Sequence, residues 1–296
     1  MKKWLIFVSE RFHPISHILM ISCFVLAHIS VDPDFTREAG FSLFSEKFPL
    51  LMIGTTFFFF KLRLFDEIKD FKLDCIINPQ RPLVRGLVTR ANLNNGITFC
   101  VMAEVFSFSL LGTNSTIAFA IPFIYSFLMF KEFFIPKIIG PHLTTYALSH
   151  TIVSGFLSVA IFSALTDKQP WQLEPKYYLF ALASWCLFNI FEFGRKTFAK
   201  SEEREGVESY SKVFGTYGAV ILVLVMAAVA LCPFWYFDEN FIFRVFSAGA
   251  VGLLTLSGLA FCISGSKAFA SFYRGFSSGF IVLFYSAFVI SRHLKF

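Results

Sequence analysis

Phe57-Phe58-Phe59-Phe60-Lys61-Leu62-Arg63-Leu64-Phe65-Asp66-Glu67-Ile68-Lys69-Asp70-Phe71-Lys72-Leu73-Asp74 passes from a wholly apolar run into a segment with Asp at every fourth position. At 100° per residue, steps of three and four keep Arg63, Asp66 and Asp70 on one helical stripe, with Asp74 close to it if the helix persists. Three carboxylates stacked on one face repel. Either the helix end is solvated, with Lys69 and Lys72 as counter-charges, or a divalent cation relieves the repulsion. Magnesium suits the second reading, because it takes oxygen ligands and binds one or two carboxylates together with phosphate oxygens. Arg63 is placed to grip the same phosphates through its planar fork.

The rest of the chain decides what surrounds this segment. Of 296 residues, 56% are hydrophobic, 16% are charged and 43 are Phe, against about a quarter charged in soluble domains. A soluble core of this size would not bury so much Phe, whereas lipid-facing helix surfaces accept it. Apolar stretches of about 20 residues, the length that crosses roughly 30 Å of hydrocarbon, predict an all-α polytopic membrane protein of about nine transmembrane helices. The expected spans are 13–31, 43–65, 96–113, 117–136, 142–165, 176–198, 213–236, 241–263 and 268–291, within one domain covering 1–296.

With nine spans, 19 of the 26 Lys and Arg fall on the side of the N-terminus, including Lys61 and Arg63. That excess places the N-terminus in the cytoplasm, together with the acidic loops after helices 2 and 6. Arg37, Arg292 and Lys295 fall on the other side. The net charge of +6 comes from short inter-span loops rather than a basic domain, which argues against a nucleic-acid partner. The six Cys are scattered without metal or redox spacing, and no cleavable signal peptide is evident.

Downstream of the acids comes Asn78-Pro79-Gln80-Arg81-Pro82-Leu83-Val84-Arg85-Gly86-Leu87-Val88-Thr89. Here the sequence resembles the UbiA superfamily of intramembrane prenyltransferases, which have an Asp-rich motif closing the second helix, then Arg-Pro-Leu, a Gly and a small hydroxyl residue. Arg81-Pro82-Leu83, Gly86 and Thr89 match that order. Leu62-Arg63 stands where the family usually has Asn-Asp, so one expected oxygen ligand is absent and Asp74 is an additional carboxylate.

The resemblance extends to a second acidic segment, Glu192-Phe193-Gly194-Arg195-Lys196 followed by Glu202-Glu203-Arg204-Glu205-Gly206, with Gly215 nine residues beyond Gly206. Every carboxylate here is Glu where the family usually has Asp. Glu192, at the end of an apolar helix, is costly unless used or paired; its structural alternative is an ion pair with Arg195 or Lys196. Lys131, near the end of the fourth span, occupies a region where the family often carries a Lys close to the diphosphate, and snorkelling to the interface is its alternative. Glu104, His142 and His150 are further polar residues in apolar runs.

The resemblance implies a lipid-open helical bundle capped by the two acidic loops. It implies catalytic roles for Asp66, Asp70 and Glu192, and diphosphate binding by Arg63, Arg81, Lys131, Arg195 and Lys196. The magnesium ligands would come from Asp66, Asp70, Asp74, Glu202 and Glu205. The expected partners are an isoprenyl diphosphate, a hydrophobic or aromatic acceptor and the lipid bilayer, in a bacterial inner (plasma) membrane. A terpene cyclase uses the same ionisation without an acceptor, and a non-catalytic transporter is the third reading. Ionisable residues gathered at the cytoplasmic ends speak against the third.

Overall fold

The computed structural model describes residues 2–32 and 47–293. Arg37, Lys295 and the first four residues of the expected second span lie outside them. The described residues form helices joined by short turns: α1 Lys2–Arg11, α2 Pro14–Ser30, α3 Phe48–Lys69, α4 Phe71–Ile77, α5 Arg90–Leu110, α6 Thr113–Phe130, α7 Pro136–Ile139, α8 Leu143–Thr151, α9 Val153–Thr166, α10 Pro175–Arg195, α11 Tyr210–Phe237, α12 Phe241–Ser264 and α13 Lys267–His293. Long helices consecutive in the chain pack side by side, and α13 returns against α2, so the bundle closes on itself. Among the described residues, seven helices are long and apolar enough to cross a membrane, or eight if the bent pair α1–α2 counts as one span. The expected nine rest on α10 as well, a 21-residue helix whose Asn189 is wholly buried and whose last turns carry Glu192 and Arg195. Large apolar side chains such as Phe99, Met102, Phe106 and Leu253 stand exposed on the outer faces, as an integral membrane protein requires.

The helix holding the acids continues past the expected span end at 65, as the stripe of Arg63, Asp66 and Asp70 requires. It runs to Lys69, where Asp70 serves as a hinge residue into α4. Lys61 and Arg63, counted above on the side of the N-terminus, lie inside this helix, within the expected span 43–65. Lys61 is completely buried and forms an ion pair with the equally buried Glu104 of α5. Its ammonium lies 4.7 Å from the ring centroid of Phe58, 4.9 Å from Phe123 and 5.3 Å from Phe127. Charge is thus not confined to the helix ends. The pair closes on itself rather than forming part of a polar row.

An unexpected element is α1, set at 62° to α2 across His13 and Pro14. Phe7 is buried against Leu64, Val88 and Leu93, so α1 lies over α3 and the start of α5. Arg11 pairs with Glu67 and Glu10 with Arg85, tying α1 to both sides of the motif loop.

Candidate active site

Asn78, Arg81, Pro82, Gly86 and Thr89 of the motif each have a local structural task. Arg81 donates to Asp74 Oδ2 at 2.6 Å and Asn78 Nδ2 to Asp74 Oδ1 at 2.9 Å. Pro82 accepts at its carbonyl from Leu87 N at 2.9 Å, a turn that Gly86 permits with φ +75°, a region where a side chain is strained. Thr89 caps α5, accepting from Asn92 N at 3.2 Å while Asn92 Oδ1 accepts from Thr89 N. The capping box satisfies backbone donors that the helix start leaves free. Asp74 is therefore buried and engaged in holding this loop, rather than turned out beside the other two acids.

The second segment is built by the same means. Gly206 and Gly215 both take left-handed φ, +75° and +70°. Between them Ser209 caps α11 by accepting from Lys212 N at 3.0 Å. Glu202 is held by Arg274 of α13 through two hydrogen bonds of 2.8 Å, and Glu203 accepts from Ser209 and Ser211. Glu205 is exposed. The Arg274 guanidinium holds the Glu202 carboxyl below the usual carboxylate range. Its contribution to stability is therefore complete above about pH 4.3 and is lost as pH falls through the lowered value. Arg274→Met is expected to cost about 1–3 kcal/mol at neutral pH and much less in acid, measurable as the unfolding midpoint in detergent against pH.

The ends of α3 and α10 carry the remaining charges. Asp66 is 43% exposed and among the described residues has only long ion pairs, 3.7 Å from Arg63 and 3.5 Å from Lys69. Burial, and then the charge of Asp66, push the Asp70 carboxyl above the usual carboxylate range, against the pull of Lys69 and Arg81. On α10, Glu192 takes the paired arrangement, at 2.5 Å from Arg195 and 2.8 Å from Lys196. Lys69 of α3 places its ammonium over the Tyr146 ring of α8, and α8 packs on α10. The ends of α3, α8 and α10 thus enclose one charged region. Lys131 is exposed, with its ammonium over the Phe130 ring at 5.4 Å.

Two aromatic residues of this region carry no signal in the sequence. Lys69 Nζ lies 5.3 Å from the Tyr146 ring centroid, and that ring stacks on His150 at 3.9 Å. Tyr210 is completely buried and packs on Phe193 at 4.8 Å. Tyr146 follows Thr144 and Thr145, and Tyr210 lies between Ser209 and Ser211; only the bundle brings them beside the charged helix ends. Tyr125 of α6 donates to the Ser149 carbonyl at 2.7 Å.

Among the described residues no group of three or more His, Cys, Asp and Glu is gathered into a metal cage. Two adjacent carboxylates, one half-exposed and one destabilised by its neighbour, with cations around them, fit an ion that completes its shell with phosphate oxygens and water. They do not fit one that needs a cage of protein ligands.

No family model matches the chain, and a search of curated proteins finds no match. Two solved structures are similar over nearly its whole length. One, described as digeranylgeranylglyceryl phosphate synthase in membranes, has a TM-score of 0.58 and 16% identity, covering 99% of both chains. The other, an apo UbiA homolog from Aeropyrum pernix K1, has a TM-score of 0.58 and 15% identity, covering 92% of this chain and 97% of that one. At such identity the likeness is one of architecture, and on it this chain has a UbiA-like fold.

Proposed function

We propose that the protein is a magnesium-dependent intramembrane prenyltransferase, moving an isoprenoid chain from an isoprenyl diphosphate to an aromatic or other hydrophobic acceptor and releasing diphosphate. The observation that supports it best is the placement of Asp66 and Asp70 with Lys69 at the end of α3, and of Arg195 and Lys196 on Glu192 at the end of α10, in a UbiA-like bundle. Asp66 and Asp70 would hold the metal. When bound, magnesium supplies positive charge to the departing diphosphate.

The chain's own groups do the rest. Arg63, Arg195 and Lys196 neutralise the outer diphosphate oxygens, the fixed charge stabilisation that lowers barriers most. Glu192 holds Arg195 and Lys196 in place by its two ion pairs, a positioning role. Arg81, tied to Asp74, fixes the loop beside these charges. The apolar bundle excludes water from an allylic cation, and aromatic faces stabilise it. The acidic ends of α3 and α10 would face the cytoplasm of a bacterial inner membrane, as the Lys and Arg distribution suggests.

Purified protein incubated with magnesium and radiolabelled geranyl, farnesyl and geranylgeranyl diphosphates, with and without a lipid extract, tests the proposal. The expected result is acceptor-dependent product from at least one donor. Product without acceptor would make the protein a cyclase. No turnover with any donor would sink the enzymatic reading.

A further inference from the structure

The face of α3 turned away from the acids carries Phe57, Phe60 and Leu64. With α1 and the first turns of α5 it walls a groove of 540 Å³. One part of the groove is polar, formed by Lys3, Asn92 and Asn95, and the remainder is apolar, with Trp4, Phe57 and Phe99 among its walls. Phe99 also borders a shallower depression of 680 Å³ that continues past Met102 and Phe106 along the outer face of α5. Gly96 makes room for the Trp4 ring: a Cβ there would stand 2.8 Å from the indole. No acidic side chain lines either depression. Lys3 gives one of its three ammonium protons to Asn92 Oδ1 at 2.7 Å, which leaves two donors for a ligand. Lys2 beside it is exposed.

A cationic, amide-bearing mouth above an aromatic trough open to lipid matches an amphiphile with an anionic head and long hydrocarbon chains. We propose that this groove binds an anionic phospholipid of the surrounding bilayer, its phosphate at Lys3, Asn92 and Asn95 and an acyl chain along Phe57, Phe99 and Met102. Charge complementarity selects the head, since juxtamembrane Lys residues attract anionic lipid. The reacting donor is not the expected occupant, because Leu64 and Phe60 separate the groove from the helix face bearing Asp66 and Asp70. A lipid seated here braces α1, whose Arg11 pairs with Glu67 next to Asp66. The site does not depend on the enzymatic proposal and can be tested apart from it.

The full chain is placed in phosphatidylcholine nanodiscs containing a small fraction of phosphatidylglycerol brominated on its acyl chains, and tryptophan quenching is recorded. The Trp4 signal is the difference between wild type and Trp4→Phe. We expect Trp4 to be quenched with an apparent affinity about fivefold higher for brominated phosphatidylglycerol than for brominated phosphatidylcholine, as one Lys contact implies. Lys3→Glu is expected to abolish the difference, and Gly96→Leu to drive the Trp4 ring into the groove and abolish it as well. Native mass spectrometry of the wild type, which needs no variant, is expected to show phosphatidylglycerol retained in preference to phosphatidylcholine. Equal quenching and equal retention of the two lipids would overturn the proposal, as would a preference that survives Lys3→Glu. Displacement of the brominated lipid by unlabelled geranylgeranyl diphosphate would overturn it too, by making the groove a donor site.

Discussion

Asp66→Ala/Asp70→Ala is expected to lose at least about a thousandfold of magnesium-dependent diphosphate release while the protein stays folded in detergent. The size of the effect follows from what the pair does in the proposed reaction: without it no carboxylate anchors the cation against the leaving group. The folded state should tolerate the change. Among the described residues Asp66 makes only ion pairs of 3.5 and 3.7 Å on an exposed side chain, of the kind that contributes little to stability. Asp70 sits under the burial and like-charge repulsion that raise its pKa, so its removal relieves an unfavourable interaction. The contrast with Asp74 is diagnostic. Asp74→Asn should leave manganese binding, followed by electron paramagnetic resonance, close to wild type, because Asp74 is spent on Arg81 and Asn78. Full activity in the double variant would remove Asp66 and Asp70 from the chemistry.

Glu104→Leu should lower stability by about 3–5 kcal/mol, the cost of leaving a buried charge without its partner. Lys61 would then be an ammonium enclosed by Phe58, Phe123 and Phe127. Ring faces attract a cation, at about 2 kcal/mol when desolvated, which does not replace the lost carboxylate. Lys61→Met/Glu104→Leu should recover most of the loss, because an apolar pair of similar volume fills the same space without desolvation. Unfolding midpoints of the two variants in detergent decide the point. The turnover of the double variant decides a second one. A structural clasp between α3 and α5 predicts retained turnover, whereas a stable but inactive double variant would make the pair part of the working mechanism.

Periodicity and composition were enough for the helical bundle, because a bilayer demands long apolar segments with internally paired backbones and leaves few other ways to read such a sequence. The observed helices Phe241–Ser264 and Lys267–His293 nearly coincide with the expected spans 241–263 and 268–291. The match fails where charge and apolarity overlap. Lys61 reads in sequence as one more cation on the side of the N-terminus because only the fold supplies Glu104, 43 residues away, to neutralise it. The helix α1 escaped notice because ten residues with a weak apolar patch are stable only against Leu64, Val88 and Leu93.

For the site, sequence alone determined the two carboxylates that share a helical stripe, Asp66 and Asp70, and the cations near them, since i to i+4 spacing is a local property. It also marked Gly86 and Thr89, whose positive φ and helix cap are local needs. Which acid is spent on which cation was decided only by the tertiary structure. Asp74, Glu202 and Glu192 are alike in sequence as candidate site carboxylates, yet Arg81, Arg274 and the Arg195–Lys196 pair engage them. A carboxylate's availability depends on the partners within a few ångströms of it, and for Glu202 that partner lies 72 residues away along the chain.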